Sequence, residues 1–324
     1  MDPRGTIAKR RKYGRFLPHQ RANVDQVPLP FVNDCEDTLE EKGADRVTIN
    51  QNGPALGKRQ ATGQVCFRPE VPELPEGGDK VAYEKHLMEQ PPPCLIFRGT
   101  GGRITQAEKN AYPDGLVVLW QPKAWVDRPT AMAWVEKCWK PFIEAERAAG
   151  VAGSTDEYLL FQDNLDSQIQ PEYIGELKKH ATFNHQVPPN KTDQVQPVDR
   201  GLGRQLKIYM GQEMDKWLET EDNLEKWENN TMSASDRRIC LANWYFNAWK
   251  KACNGTAMRR YFEKSGALLT ADGSDDHLIK LEGVPSSRFE RVPSSSSRRR
   301  RASHSQRHLH PTSSSSSATP RAPS

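Results

Sequence analysis

The apolar positions of this chain change period along its length. From "RANVDQVPLPFVN" (21–33) to "QATGQVCFRPEV" (60–71) they lie in valine-rich runs broken by Gly and Pro, which predict short strands and hairpins. "PPPCLIFRG" (91–99) and "DGLVVLWQP" (114–122) are compact apolar runs of strand length. From Pro129 the period becomes helical: Ala131, Trp134, Val135, Cys138, Trp139 and Phe142 fall on one face, with Asp127 placed to cap the helix. The tryptophans of that stripe are expected in the core. "DEYLLFQDN" (156–164) predicts another strand, and a helix over 171–179 and a strand over 182–186 follow. Beyond Gly203 the pattern is helical: 204–218, 222–229, a helix capped near Ser233 or Ser235, and a shorter one in "AMRRYFEKSG". Strands first, then strand and helix in alternation, indicate an α/β fold with a mixed sheet.

Composition narrows the picture. Of 324 residues only 35% are hydrophobic, and part of that deficit lies in "SSSSRRRRASHSQRHLHPTSSSSSATPRAPS" (294–324), a stretch too poor in apolar residues to offset the entropy of folding and expected to be disordered. The net charge of +4 averages unlike parts: residues 1–21 carry +6 and 285–324 carry +7, leaving −9 on 22–284. An acidic body with basic arms suits a polyanionic partner, and such arms equally suit nuclear import or solubility. Six cysteines show neither a CxxC pair nor zinc-ligand spacing, and reduced, intracellular thiols are expected. No apolar run has the length of a membrane span and no signal peptide opens the chain.

The junction "VPPNKTDQVQPVDRGLGRQLK" (187–207) joins a proline-stiffened approach to a helix start. Pro197 suits an opening helical turn and Asp199 beside it meets the positive end of the helix dipole. Gly201 and Gly203 do not suit an early turn, since each costs about 1 kcal/mol against alanine; they mark close backbone approach.

Three aspartates stand where a site at a sheet edge would use them. Asp25 lies in the first strand, "NVDQVP"; Asp163 ends "YLLFQ"; Asp199 opens the helix after the next strand. Carboxylates brought from distant points onto neighbouring elements can share Mg²⁺ or Mn²⁺. Two such ions about 4 Å apart activate a water or a 3′-hydroxyl and stabilise the leaving oxygen of a phosphodiester. Aspartates at strand ends are common, and spacing alone leaves a structural role open. Asp193 suits an alternative ligand or a turn. Lys191, Arg200, Arg204 and Lys207 around Asp199 suit phosphate contacts or a solvated helix face, and His180 and His185 suit packing or the surface.

These pieces, in this order over residues 20 to 282, resemble the DDE superfamily endonuclease domain of pogo-, Tigger- and jerky-type transposases, relatives of mariner elements with a ribonuclease H-like fold. "NVDQVP" resembles the motif of the first family aspartate, "LLFQDN" the strand ending in Asp-Asn, and the 187–207 block the proline-asparagine-threonine, glutamine-proline-aspartate-glycine block of the third. "PPPCLIFRG", "KAWVDRPTAMAWV" and "YFEKSG" match lesser blocks. The resemblance implies that Asp25, Asp163 and Asp199 are catalytic and hold two Mg²⁺ or Mn²⁺ ions. It also implies DNA as substrate and partner, a homodimer on DNA, and a nuclear location. Gln26 stands where the family places an acid, and "DNLDSQ" offers Asp166 and Gln168 where it often has a histidine. Only a basic stretch of about twenty residues precedes the first motif, where such transposases carry helix-turn-helix domains; this keeps a second expectation alive, a domesticated DNA-binding or interaction protein that no longer cuts. The expected organisation is a basic arm (1–21), a ribonuclease H-like catalytic domain (22–210), a helical extension (211–284) and a Ser/Arg-rich tail (285–324).

Overall fold

The computed structural model describes residues 14–31, 59–187, 192–253, 255–270 and 274–278. The 285–324 tail and most of the basic arm lie outside them, as do Lys191 and the side chain of Asp193.

The elements follow the periods of the sequence. Strands β1 (Arg21–Pro30) and β2 (Arg59–Phe67) are long; helix α1 (Lys80–His86) leads to β3 (Cys94–Arg98), α2 (Gln106–Asn110) and β4 (Val117–Gln121). Helix α3 (Arg128–Trp134) is capped by Asp127, whose carboxylate accepts from Thr130 N–H, and it continues through a wide turn (Val135–Trp139) into α4 (Lys140–Ala148). Then come β5 (Tyr158–Gln162), α5 (Pro171–Lys179), β6 (Thr182–Gln186), the single turn α6 (Thr192–Val195), α7 (Gly203–Leu218), α8 (Glu221–Glu228), α9 (Ala234–Ala252) and α10 (Gly255–Lys264). Ser233 caps α9 in a reciprocal box with Asp236.

Six strands form one mixed sheet in the order β4-β3-β2-β1-β5-β6. β1, β2 and β3 pair antiparallel in succession, while β5 runs parallel to β1, and β6 parallel to β5. This is the ribonuclease H-like arrangement, with β4 added parallel to β3 at one edge. Both faces are buried, so apolar residues of alternating phase pack to opposite sides. Ala22, Val24, Cys66, Cys94 and Ile96 meet α3, α4 and α5 through Trp134, Trp139, Phe142 and Leu177. Val27, Leu29, Val65, Phe67, Leu95 and Phe97 meet α7, α9 and α10 through Leu206, Tyr245, Trp249 and Phe262. The helices after residue 210 therefore cover a sheet face, and α7 runs through that position without a break.

Trp134 and Trp139 are fully buried, and Trp139 donates from its indole N–H to Thr182 Oγ1 at 2.7 Å. At the far end of β2 a buried Arg68 pairs with Glu146 and also donates to the carbonyls of Met88 (2.6 Å) and Glu89 (2.8 Å). Tyr158 donates to the second Glu146 oxygen at 3.1 Å, so this ion pair is hydrogen-bonded as well as matched in charge. The five described cysteines are free thiols, and no described helix is long and apolar enough to cross a membrane.

Candidate active site

Strand register brings the first two aspartates together. β1 and β5 align Arg21 with Leu159, Ala22 with Leu160 and Asn23 with Phe161. Two residues further on, the same register sets Asp25 level with Asp163, just past the end of β5. Both side chains have the phase of Val27 and Phe161, which face the α7, α9 and α10 side. Each aspartate accepts at Oδ1 from the backbone N–H that follows it, Gln26 and Asn164, at 2.7 Å in both cases.

The third aspartate arrives on a pinned turn. Asn23 donates to Phe161 O at 3.0 Å and accepts at Oδ1 from Val198 N–H at 2.9 Å. One fully buried amide thus ties together β1, β5 and the segment that carries Asp199. The chain then makes a wide turn, Val198–Leu202, in which Gly201 has φ 151, a conformation that favours glycine. A Cβ at Gly201 would fall inside the Tyr261 ring, while one at Gly203 would make ordinary contacts with Val198 and Val27. Close approach therefore holds for Gly201, and the kink is what separates Asp199 from the regular start of α7. Asn164 donates to Val187 O and fixes the exit of β6 beside the same edge.

Electrostatics records the convergence. Burial pushes the half-buried Asp25 carboxyl up to about 8, with the charges of Asp199 and Asp163 adding to the rise and the Gln26 N–H opposing it. Asp199 is exposed and Asp163 half-buried. Oxygen donors brought together near the carboxyl end of β5, with the most buried one resisting ionisation, match what a hard divalent cation neutralises. Among the described residues, however, no three His, Cys, Asp or Glu side chains stand close enough to hold an ion. The three carboxylates share a field without forming a closed ligand set.

The other sequence candidates divide. Arg204 and Lys207, three residues apart on α7, share an exposed face within two turns of Asp199, and Arg200 is half-buried beside it. His180 lies 3.6 Å from Glu176, and His185 stacks edge-on against Phe161 at 5.5 Å. Asp166 pairs with Arg128 at 3.4 Å on the surface and Gln168 is fully buried. Asn23 is the residue that sequence reasoning misses; its signal is a polar side chain two positions before Asp25, on the same face of a valine-rich strand.

A family model described as "DDE superfamily endonuclease" matches residues 87–281. That span holds Asp163 and Asp199, while Asp25 precedes it. Solved structures similar to the chain include "Mos1 transposase paired-end complex with left transposon end" (12% identity, TM-score 0.34, covering 81% of this chain and 65% of that one). Others are "Crystal structure of the Mos1 Strand Transfer Complex" (12%, 0.34, 81% and 58%) and "Crystal structure of the Mos1 mariner paired end complex with Mn" (12%, 0.37, 85% and 64%). The chain thus spans less than two thirds of those proteins' length. No curated protein sequence matches it.

Proposed function

Because the chain belongs to the DDE superfamily of endonucleases, we propose that it cuts and joins DNA by metal-dependent phosphoryl transfer, with Asp25, Asp163 and Asp199 as the catalytic carboxylates. The observation that carries this reading is the strand register that sets Asp25 level with Asp163, together with the buried Asn23 amide that ties both strands to the segment carrying Asp199. Two Mg²⁺ or Mn²⁺ ions would supply activation of a water or 3′-hydroxyl and stabilisation of the leaving oxygen. The chain's own residues do the rest. Asp25 and Asp163 offer oxygens from neighbouring strands, Asp199 adds a third carboxylate from the kinked turn, and Asn23 holds the three segments in register. Arg200, Arg204 and Lys207 meet the phosphates flanking the scissile bond. A homodimer acting on nuclear DNA completes the proposal.

Purified protein is expected to nick supercoiled plasmid in Mn²⁺ and to lose that activity in Asp163→Ala; nicking unchanged by the substitution rejects the assignment. The open ligand set favours one rival, a transposase-derived DNA-binding protein that no longer cuts. Calorimetric titration with Mn²⁺ separates the two, since heat of binding that disappears in Asp163→Ala belongs only to the enzyme.

A further inference from the structure

A second feature of the same sheet face lies well away from the aspartates. Phe31, just past β1, and Phe97 and Arg98, closing β3, face Ala234, Arg237, Arg238 and Leu241 from the first turns of α9 across a small cleft of about 90 Å³. Three guanidinium groups line it. Among the described residues only Glu108 answers them: it takes a two-pronged contact from Arg238 at 2.6 and 2.8 Å, and further hydrogen bonds from Tyr112 (2.6 Å) and Ser235 (2.8 Å). Asp236 is turned back onto Ser233 in the helix cap. Arg237 donates to a carbonyl, Met232 O, at 2.8 Å, and among the described residues neither it nor Arg98 pairs with a carboxylate. Among the described residues the cleft therefore keeps the charge of about two arginines above a buried floor of Phe31 and Phe97, where poor solvation strengthens attraction for an anion. Arg238, lying 5.6 Å over the Trp120 ring and held by Glu108, fixes one wall and leaves the other two groups to reach a ligand.

Size and charge select a phosphate, which a guanidinium fork binds at two oxygens. Position selects its source. Phe31 is six residues beyond Asp25 on the same sheet face, about 20 Å away at ~3.3 Å per residue. A DNA strand advances ~3.4 Å per nucleotide, so the cleft stands roughly six nucleotides from the aspartates. We propose that Arg98 and Arg237 grip a backbone phosphate of the bound DNA at this distance from the cutting site; the inference rests on the endonuclease reading above.

The test measures binding of the full chain to a labelled 25-base-pair duplex by fluorescence anisotropy, in EDTA, over a range of NaCl. Arg98→Ala/Arg237→Ala is expected to lower the magnitude of the slope of log K against log salt by about 0.9, since the one phosphate contact contributes ~0.9, with its melting temperature unchanged. Lys80→Ala/Lys85→Ala on α1 removes the same charge elsewhere and is expected to leave the slope within error. Equal slopes in both double variants overturn the proposal. Titration with dAMP distinguishes the source: if dAMP binding disappears in the arginine variant while the duplex slope stays unchanged, the cleft takes a free nucleotide and the DNA assignment falls. The readout needs no metal, so a failed endonuclease reading shows separately, as absent nicking in Mn²⁺ with the slope change intact.

Discussion

Replacing Asp25 by Asn is expected to stabilise the metal-free protein, and the gain is expected to depend on pH. In the folded chain burial, with the charges of Asp199 and Asp163, raises this carboxyl from its ordinary value near 3.8 to about 8. Well below pH 3.8 the group is neutral in both the folded and unfolded states and costs nothing. Between pH 4 and 8 the unfolded chain releases the proton and the folded chain keeps it, so stability falls as pH rises through that window; above 8 the full cost is present. The whole rise corresponds to about 6 kcal/mol as a ceiling. Solvent reaching the half-buried carboxyl, and the exposure of Asp199, correspond to a high effective dielectric and bring the expected gain to about 2–3 kcal/mol at pH 8. For a domain of this size that is ~5–10 °C in melting temperature.

Thermal melts of Asp25→Asn and the parent, in EDTA at pH 4.5, 6 and 8, measure the difference directly. The gain should be smallest at pH 4.5 and largest at pH 8. Excess Mn²⁺ should remove most of the difference, because an ion at one hundred times its Kd adds ~2.7 kcal/mol to the parent alone. A variant less stable than the parent at pH 8 in EDTA, or a difference that does not change with pH, refutes the electrostatic account of the site.

Three other outcomes follow from the packing. Asn23→Ala leaves the buried Val198 N–H without its acceptor and is expected to cost about 1–3 kcal/mol by urea denaturation, and to weaken Mn²⁺ binding measured by calorimetry. Gly201→Ala drives a methyl into Tyr261 at φ 151 and is expected to cost more than about 2 kcal/mol; a companion Tyr261→Ala should recover the steric part and not the backbone part. Glu146→Ala strands Arg68 in the core and is expected to cost about 3–5 kcal/mol, again by urea denaturation, whereas Lys140→Ala on the solvated side of α4 should change stability by less than about 0.5 kcal/mol.

The period of the apolar residues suffices for most elements because burial on a sheet face or a helix stripe is a local constraint. The helix over 171–179 and the strand over 182–186 fall where the pattern puts them, and Asp127 and Ser233 cap the helices they precede. Long-range pairing has no such local signal. That Asp25 stands level with Asp163 depends on the register between strands 138 residues apart in sequence, at Asn23 and Phe161. The path of the 187–207 block is legible only in part. Its glycines mark a close approach, but the wide turn and its kink require the Tyr261 ring, which lies sixty residues later. The arginine cleft leaves no sequence trace, because Phe31, Arg98 and Arg237 meet only when β1, β3 and α9 are already packed.

The site is thus a product of the whole sheet and not of any one motif. Asp25 lies on β1 and Asp163 directly follows β5, strands that pair in parallel, and parallel pairing forms only after the intervening chain has crossed over. Asp199 depends on Asn23, on Gly201 and on α10, which supplies Tyr261. Because none of these supports exists in the unfolded chain, any ion held by the three carboxylates binds the folded state alone, and its binding energy adds to folding. The burial that raises Asp25 in the metal-free protein, with the added repulsion of Asp199 and Asp163, then acts as a bias: it weakens the empty fold and is relieved by a cation. On this account Mn²⁺ should slow hydrogen exchange at the Val198 and Asn164 amides together. Protection at only one of them would mean that the carboxylates do not act as a single site.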